Sequence, residues 1–391
     1  MAVAPYRRAD IPTVRSVSAD NKPEFAGEWV RLEDVCAKGK SNLRQKDLKN
    51  DGPYPVYGAP GIVGFSSDYQ NVDAYVAVVK DGAGVGRVMA CEPRSSVLGT
   101  MQALLPGKGT DRDYLLHLVR SMDLGKGFTG STIPHIYFKD YGKTLVRALS
   151  RGRQVEVANR LSGIDRLISQ GKQQLSFLDD LVKSQFVEMF GDTYSNSKQL
   201  PSRKLGALID FITSGSRGWS KYYSDEGDYF ITIKNVRGCS ISLDNVQHVH
   251  APNNKEAERT KVQSGDVLIS ITADLGRTGV VSKEIADHGA YINQHLACIR
   301  LAGEDILPLY LSFFLESPGA KDQLQRKNQT GVKAGLNFDL VKSLDILVPP
   351  LALQQQFADF VARVDKLGFD VQQQIEKLET LKQSLMQEYF G

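Results

Sequence analysis

The chain has 391 residues, 41% of them hydrophobic and 24% charged, with a formal net charge of +3. That length exceeds one ordinary domain and suits two or three, and the composition is that of a soluble globular protein. It contains no apolar run of about 18 residues, which excludes a membrane-spanning helix, and no secretory leader, so a cytoplasmic protein with no membrane partner is expected. The charge is spread thinly: the first 150 residues carry 20 basic and 16 acidic groups, and residues 192–350 carry 18 of each. Nucleic-acid binders often show a basic stripe, and charge by itself does not suggest one here.

Residues 1–26, rich in Arg, Asp, Pro and Ser, read as an N-terminal tail without periodicity. Residues 27–150 form a first domain of short apolar runs, such as Tyr75–Val79, bounded by Gly, Pro, Asn and Asp, the pattern of strands and turns. Within it, Gly82-Ala83-Gly84-Val85-Gly86 resembles a dinucleotide or adenosylmethionine loop. A true loop of that kind must open a helix, whereas Arg87–Cys91 reads as another strand, so a glycine-rich hairpin is expected. Gly39-Lys40-Ser41 lacks the first glycine of a phosphate-binding loop, because position 34 is Asp34. A helix-like stretch over Tyr114–Met122 and a Thr129-Gly130 loop close the domain.

Residues 151–191 carry an apolar stripe at alternating spacings of four and three, through Val157, Leu161, Ile164, Ile168, Leu175 and Leu178, interrupted at Gly171 and Gln185. A repeat of that period marks a helix that winds on a partner. Residues 192–350 form a second domain of the first domain's kind, and residues 351–391 a second helix whose stripe includes Val361, Val364, Val371, Ile375 and Leu378. The two helices are one sequence used twice. At an offset of 200, identities include Gln154/Gln354, Asp165/Asp365, Leu167/Leu367, Gln174/Gln374, Leu181/Leu381, Glu188/Glu388 and Phe190/Phe390. The domains match more loosely, through Asp81/Asp274, Gly86/Gly279, Tyr114/Tyr310, Ser121/Ser317 and Thr129-Gly130/Thr330-Gly331. An internal duplication with divergent loops is the reading.

Motifs of catalysis are missing. There is no Asn/Asp-Pro-Pro-Tyr/Phe tetrapeptide of the base-amino methyltransferases and no Glu-x-Lys triplet of the common nucleases. His248 and His250 lack a Cys or acidic partner at zinc-site spacing, so no metal site is expected. Cys36, Cys91, Cys239 and Cys298 are scattered and read as free thiols.

The segment ILVPPLALQQQF (346–357) leading into a long heptad helix, with a copy of that helix 200 residues earlier, resembles the specificity (S) subunit of type I restriction–modification systems. GPYPVYGAPGIVGF (52–65) and SGDVLISITADLGRTGVV (264–281) are similar to turn and strand segments of that family's target-recognition domains. The first copy departs from the pattern at Val146-Arg147-Ala148-Leu149, where the second has its Pro-Pro turn. The resemblance implies an α+β fold: two tandem mixed α/β target-recognition domains separated by two long helices that pair as an antiparallel coiled coil.

It also implies a chain that is not an enzyme and needs no cofactor of its own. Such a subunit recognises a bipartite, asymmetric site in double-stranded DNA. It brings two methyltransferase (M) subunits, which hold S-adenosylmethionine, to that site, with restriction/translocase (R) subunits as an optional addition. Polar and basic loop residues are the candidates for DNA contact: Tyr57, Lys80, Arg87, Ser131, Thr132 and His135 in the first domain, and Arg217, Lys221, Lys234, Asn235, Arg237, Arg277, Gln294 and Lys333 in the second. Arg suits guanine and Asn or Gln suits adenine, while any of these side chains can instead hold a phosphate. Two other functions fit parts of the sequence: a stand-alone DNA methyltransferase using the Gly82–Gly86 loop, or a coiled-coil adaptor that binds only proteins.

Overall fold

The structure is a computed structural model that describes residues 27–48, 50–130, 133–272, 274–329 and 336–391. Two continuous helices, Arg151–Phe190 and Leu351–Phe390, hold 40 residues each. The chain divides into two compact units, and the division runs through both helices. Unit 1 comprises the chain up to Gln173 together with Val371–Gly391; unit 2 is Gln174–Asp370. The boundaries read from the sequence follow chain order, whereas each compact unit takes a stretch of both helices. The physical reason is that each helix stretch buries its apolar stripe both on the domain of its own unit and on the facing stretch of the other helix.

In unit 1, Arg160 reaches the Tyr389 hydroxyl at 3.3 Å, Asp165 accepts from Lys382 at 2.5 Å, and Lys172 meets Glu379 at 3.1 Å. One number rises as its partner falls, so the stretches are antiparallel. The seam closes tightly at Gly171, where an added Cβ would stand 2.8 Å from Ile375 Cγ1. In unit 2 the seam is aromatic: Phe357 packs edge-on against Phe186 and Phe190, at 5.4 and 5.5 Å between ring centres. The expected pairing positions Leu161, Ile164, Ile168, Val361, Val364 and Ile375 are buried, and Leu175, Leu178, Val371 and Leu378 are half-buried.

Both units carry the same main sheet. In unit 1 a four-stranded sheet runs Cys36–Lys38, Met101–Pro106, Tyr75–Val79, Val88–Cys91 from edge to edge. Its counterpart in unit 2 runs Ile209–Ser214, Leu296–Leu301, Val267–Ser270, Thr278–Val280. A second sheet pairs Tyr54–Gly58 in parallel with Ser96–Val97, as Asp228–Ile231 pairs with Ala290–Ile292. A two-stranded ribbon joins each domain's entry to its exit, Glu28–Arg31 with Leu145–Ala148 and Ser202–Lys204 with Asp345–Leu347. Only unit 2 shows the added hairpin Val236–Arg237/Ser240–Ile241 among the described residues.

The residues retained between the copies explain how each domain grips its helix. The buried Gln154 amide accepts from Asp111 N at 2.7 Å and donates to Leu149 O at 2.7 Å. Gln354 does the same with Leu307 N at 2.8 Å and Pro349 O at 2.8 Å. Each therefore satisfies a backbone donor at the start of a domain helix, where intrahelical partners are lacking. Tyr114 donates to Arg147 O at 2.6 Å, and Tyr310 to Leu347 O at 2.8 Å. The Phe390 ring lies 5.5 Å from Tyr114, and the Phe190 ring 4.7 Å from Tyr310.

Candidate nucleic-acid interface

The glycine run of the first domain is a hairpin turn. Gly82, Gly84 and Gly86 have φ of 87°, 95° and 84°, a region where a Cβ is costly. The turn joins Tyr75–Val79 to Val88–Cys91, which pair antiparallel through Val78 and Val88. A loop that cradles a dinucleotide or adenosylmethionine opens a helix, so this turn does not support the stand-alone methyltransferase alternative.

Several predicted residues of unit 1 come together around that turn. The Lys80 carbonyl accepts from Ile136 N at 2.9 Å, and Gly82 N donates to Pro134 O at 3.0 Å, so the Thr129–His135 loop lies along the turn. Thr129 and His135 close the loop with reciprocal backbone bonds of 2.8 and 2.7 Å. Asp81, which the sequence reading passed over, holds His135 Nδ1 at 2.7 Å. Arg87 is exposed and donates to Ala59 O at 3.0 Å, tying in a third turn. One edge of the domain thus presents Lys80, Arg87 and His135. Ser131 and Thr132 lie outside the described residues.

Tyr57 does not belong to that edge. Its ring is buried beside Tyr75, Val97 and Met101, its hydroxyl accepts from Glu92 N at 3.4 Å, and burial raises its pKa. It is a core residue because its side chain points to the covered face of the sheet.

In unit 2, Arg217 and Lys221 are exposed on a loop anchored from below by Trp219, which stacks on Phe230 at 5.3 Å and donates to Glu256 at 2.7 Å. Arg259, also missed in the sequence, braces the loop by donating to Ser214 O at 3.0 Å and to Thr213 Oγ1. Lys221 lies over the Tyr222 ring at 4.8 Å. Asn235 is a correction. Its side chain is buried, with Oδ1 accepting from Thr232 N at 3.0 Å and Nδ2 donating to Ser242 O at 3.1 Å. Both ends of its amide are consumed in shaping a turn, which leaves nothing to read adenine. That turn instead presents Lys234 and Arg237, both exposed.

Arg237 and Arg277 meet across a cleft of about 570 Å³ that Lys321, Gln325, Leu275 and Leu324 also line. Arg277 is ion-paired with Asp274. Gln294 is half-buried and lies 3.0 Å from His295 Nε2, while His295 Nδ1 sits 2.6 Å from Thr272 Oγ1. Lys333 lies outside the described residues. A signal was available for the helix-borne Lys321, since it follows the retained Ser317 by one helical turn, but nothing local shows that the turn at Arg277 faces it.

The cysteines are core thiols. Burial pushes Cys36, Cys91 and Cys239 up to about 12 and Cys298 up as well, the direction that makes a thiol unreactive.

Residues 203–380 match the family described as type I restriction modification DNA specificity domain. The chain is 22% identical over 171 residues to the type I restriction enzyme EcoBI specificity subunit of Escherichia coli, covering 42% of this chain and 35% of that one. It is 25% identical over 195 residues to the putative type I restriction enzyme MjaX specificity subunit of Methanocaldococcus jannaschii, covering 48% and 44%. The chain therefore matches under half the length of either curated relative. A crystal structure of a type I restriction–modification S subunit from M. genitalium shares the fold at TM-score 0.59, with 14% identity, over 94% of this chain and 97% of that one. The duplicated main sheet and the paired helices agree with the fold of that S subunit, and residues 203–380 match the type I restriction modification DNA specificity domain, so the chain is similar to type I specificity subunits in fold and in the sequence of its second half.

Proposed function

We propose that this chain recognises a bipartite, asymmetric DNA site, one half by each unit, and brings methyltransferase subunits to it within a type I restriction–modification complex. The observation that carries the reading is the pairing of an identical main-sheet order with different loops. The main four-stranded sheets match strand for strand, while Lys80, Arg87 and His135 on one unit have Arg217, Lys221, Lys234, Arg237 and Arg277 as counterparts on the other. Two readers of different half-sequences require that combination, because base edges are distinguished by side-chain donors and acceptors rather than by scaffold.

The helices support the partner half of the reading. Most seam positions differ between the copies, as in Leu161/Val361 and Ile168/Gly368, whereas Leu167, Leu181, Leu367 and Leu381 are retained and stand 52%, 46%, 55% and 47% exposed. Gln174/Gln374 and Glu188/Glu388 are likewise identical and exposed. Packing within the chain does not call for these identities. One surface presented in duplicate suits two copies of the same partner, and we assign it to two M subunits, with S-adenosylmethionine bound by the partner. R subunits would join the same assembly.

The test is to purify the chain alone and with its methyltransferase partner, then map methylated positions on a random-sequence DNA library. The expected result is no turnover by the chain alone and methylation at a split, non-palindromic site by the complex. Turnover by the isolated chain, or methylation by the complex at a continuous palindrome, refutes the reading.

A further inference from the structure

We propose that the cleft of unit 2 seats one backbone phosphate of the DNA, held by Arg237, Arg277 and Lys321, and that unit 1 has no equivalent seat; the proposal rests on the DNA-recognition reading above.

The cations are positioned and available. Neither Arg237 nor Lys321 forms an ion pair or a side-chain hydrogen bond with any described residue, and both are exposed. Arg277 lines the cleft while one of its nitrogens is ion-paired with Asp274. The remaining carboxylate, Glu316, is engaged by protein donors: Oε1 accepts from Thr278 N at 2.8 Å and from Cys239 N at 3.4 Å. Three cations, Arg237, Arg277 and Lys321, therefore face two carboxylates, Asp274 and Glu316, which leaves the opening with a net charge of +1 and with Arg237 and Lys321 unpaired among the described residues. An anion with several acceptor oxygens suits that arrangement, and the Leu275 and Leu324 side chains offer an apolar wall for a deoxyribose.

The depth of the cleft is set by backbone geometry. Gly276 has φ of 81°, and a Cβ there would fall 2.7 Å from Leu324 Cδ1, so the turn that carries Arg277 rests directly on the helix Pro318–Gln329. Unit 1 solves the same problem differently. The N–H of Gly86 bonds Val79 O at 2.8 Å as that of Gly276 bonds Ser270 O at 3.0 Å, so Gly86 is the structural counterpart of Gly276 rather than of Gly279. A Cβ on Gly86 would fall 2.2 Å from Gly125 N, so the glycine turn is in backbone contact with the segment after the domain helix. The nearby Lys126 is already paired with Asp123 at 2.7 Å.

The experiment measures DNA affinity of the full chain assembled with its methyltransferase partner, at 50 and 200 mM salt, for wild type, Lys321→Ala, Arg237→Ala and the remote control Lys255→Ala. Each contacted phosphate makes affinity fall about 3- to 4-fold more across that salt range. Lys321→Ala and Arg237→Ala should each lose that extra sensitivity, with site preference unchanged, while Lys255→Ala should match wild type. A duplex with a neutral methylphosphonate at single positions should weaken wild-type binding at one linkage in one half-site, and that effect should vanish in Lys321→Ala. Unchanged salt sensitivity in both variants, or relaxed preference at a single base pair instead, would overturn the phosphate seat and leave DNA recognition standing. A wild-type complex that binds no duplex would overturn both.

Discussion

Replacing Gln354 by alanine tests whether one buried amide holds the second domain to its helix. The side chain is fully buried, accepts from Leu307 N at 2.8 Å, and donates to Pro349 O at 2.8 Å and Asp305 O at 3.1 Å. Leu307 starts the helix Pro308–Glu316 without a side-chain cap of its own, so Gln354→Ala orphans its N–H. A buried unsatisfied donor costs about 1–3 kcal/mol, and the loss of two further bonds and the side-chain volume brings the expected total to about 3 kcal/mol. Amide hydrogen exchange is the suitable assay, because a chain of two units need not unfold in one step. Protection in Pro308–Glu316 should fall about 100-fold, since each 1.4 kcal/mol is a factor of ten, and unit 1 should be unaffected. Gln154→Ala should produce a smaller loss in unit 1, where two bonds are made rather than three. Gln354→Glu keeps the volume but turns oxygen lone pairs toward two carbonyls, so it should be no better than alanine. A change below 3-fold, or a well-tolerated glutamate, would show that the amide is not what joins domain to helix.

Two further outcomes are expected. His117 is buried, with Nε2 3.0 Å from Ser162 Oγ, and burial, aided by Arg120 and Lys382, lowers its pKa from 6.5 to about 4. The unfolded chain therefore takes up a proton that the folded chain refuses, so stability is complete above pH 6.5 and declines as pH falls toward 4. Unit 1 should lose about 2 kcal/mol by pH 5. His117→Phe, which installs the residue of the corresponding position Phe313, should remove that slope, and an unchanged pH profile of unit 1 hydrogen exchange would refute the assignment. Leu181→Ser and Leu381→Ser should alter fold stability by under about 0.5 kcal/mol yet each weaken methyltransferase-subunit binding about fivefold, from about 1 kcal/mol of lost apolar burial. Undiminished binding by both would show that the retained leucines serve some purpose other than docking.

Local pattern and repetition were sufficient for the architecture. A heptad stripe depends only on residue spacing along a helix, so both long helices were legible, and their shared identities announced a duplication whose halves prove to share the strand order of their main sheet. The glycine hairpin was legible for the same reason: Arg87–Cys91 carries strand residues immediately after it. Tertiary structure decided which side chains face outward. Tyr57 and Asn235 have the chemistry of DNA readers, but strand pairing turns the first into a core and a local turn uses up the second. Asp81 and Arg259 act across 54 and 45 residues of sequence, on His135 and Ser214, and Lys321 lines one cleft with Arg277 from 44 residues away. Such partnerships are set by chain closure between distant segments, and residue spacing along the chain carries no information about them. The same holds for the retained glutamines, whose identity was visible but whose work, closing the orphaned backbone donors at Asp111 and Leu307, exists only once each helix lies against its domain.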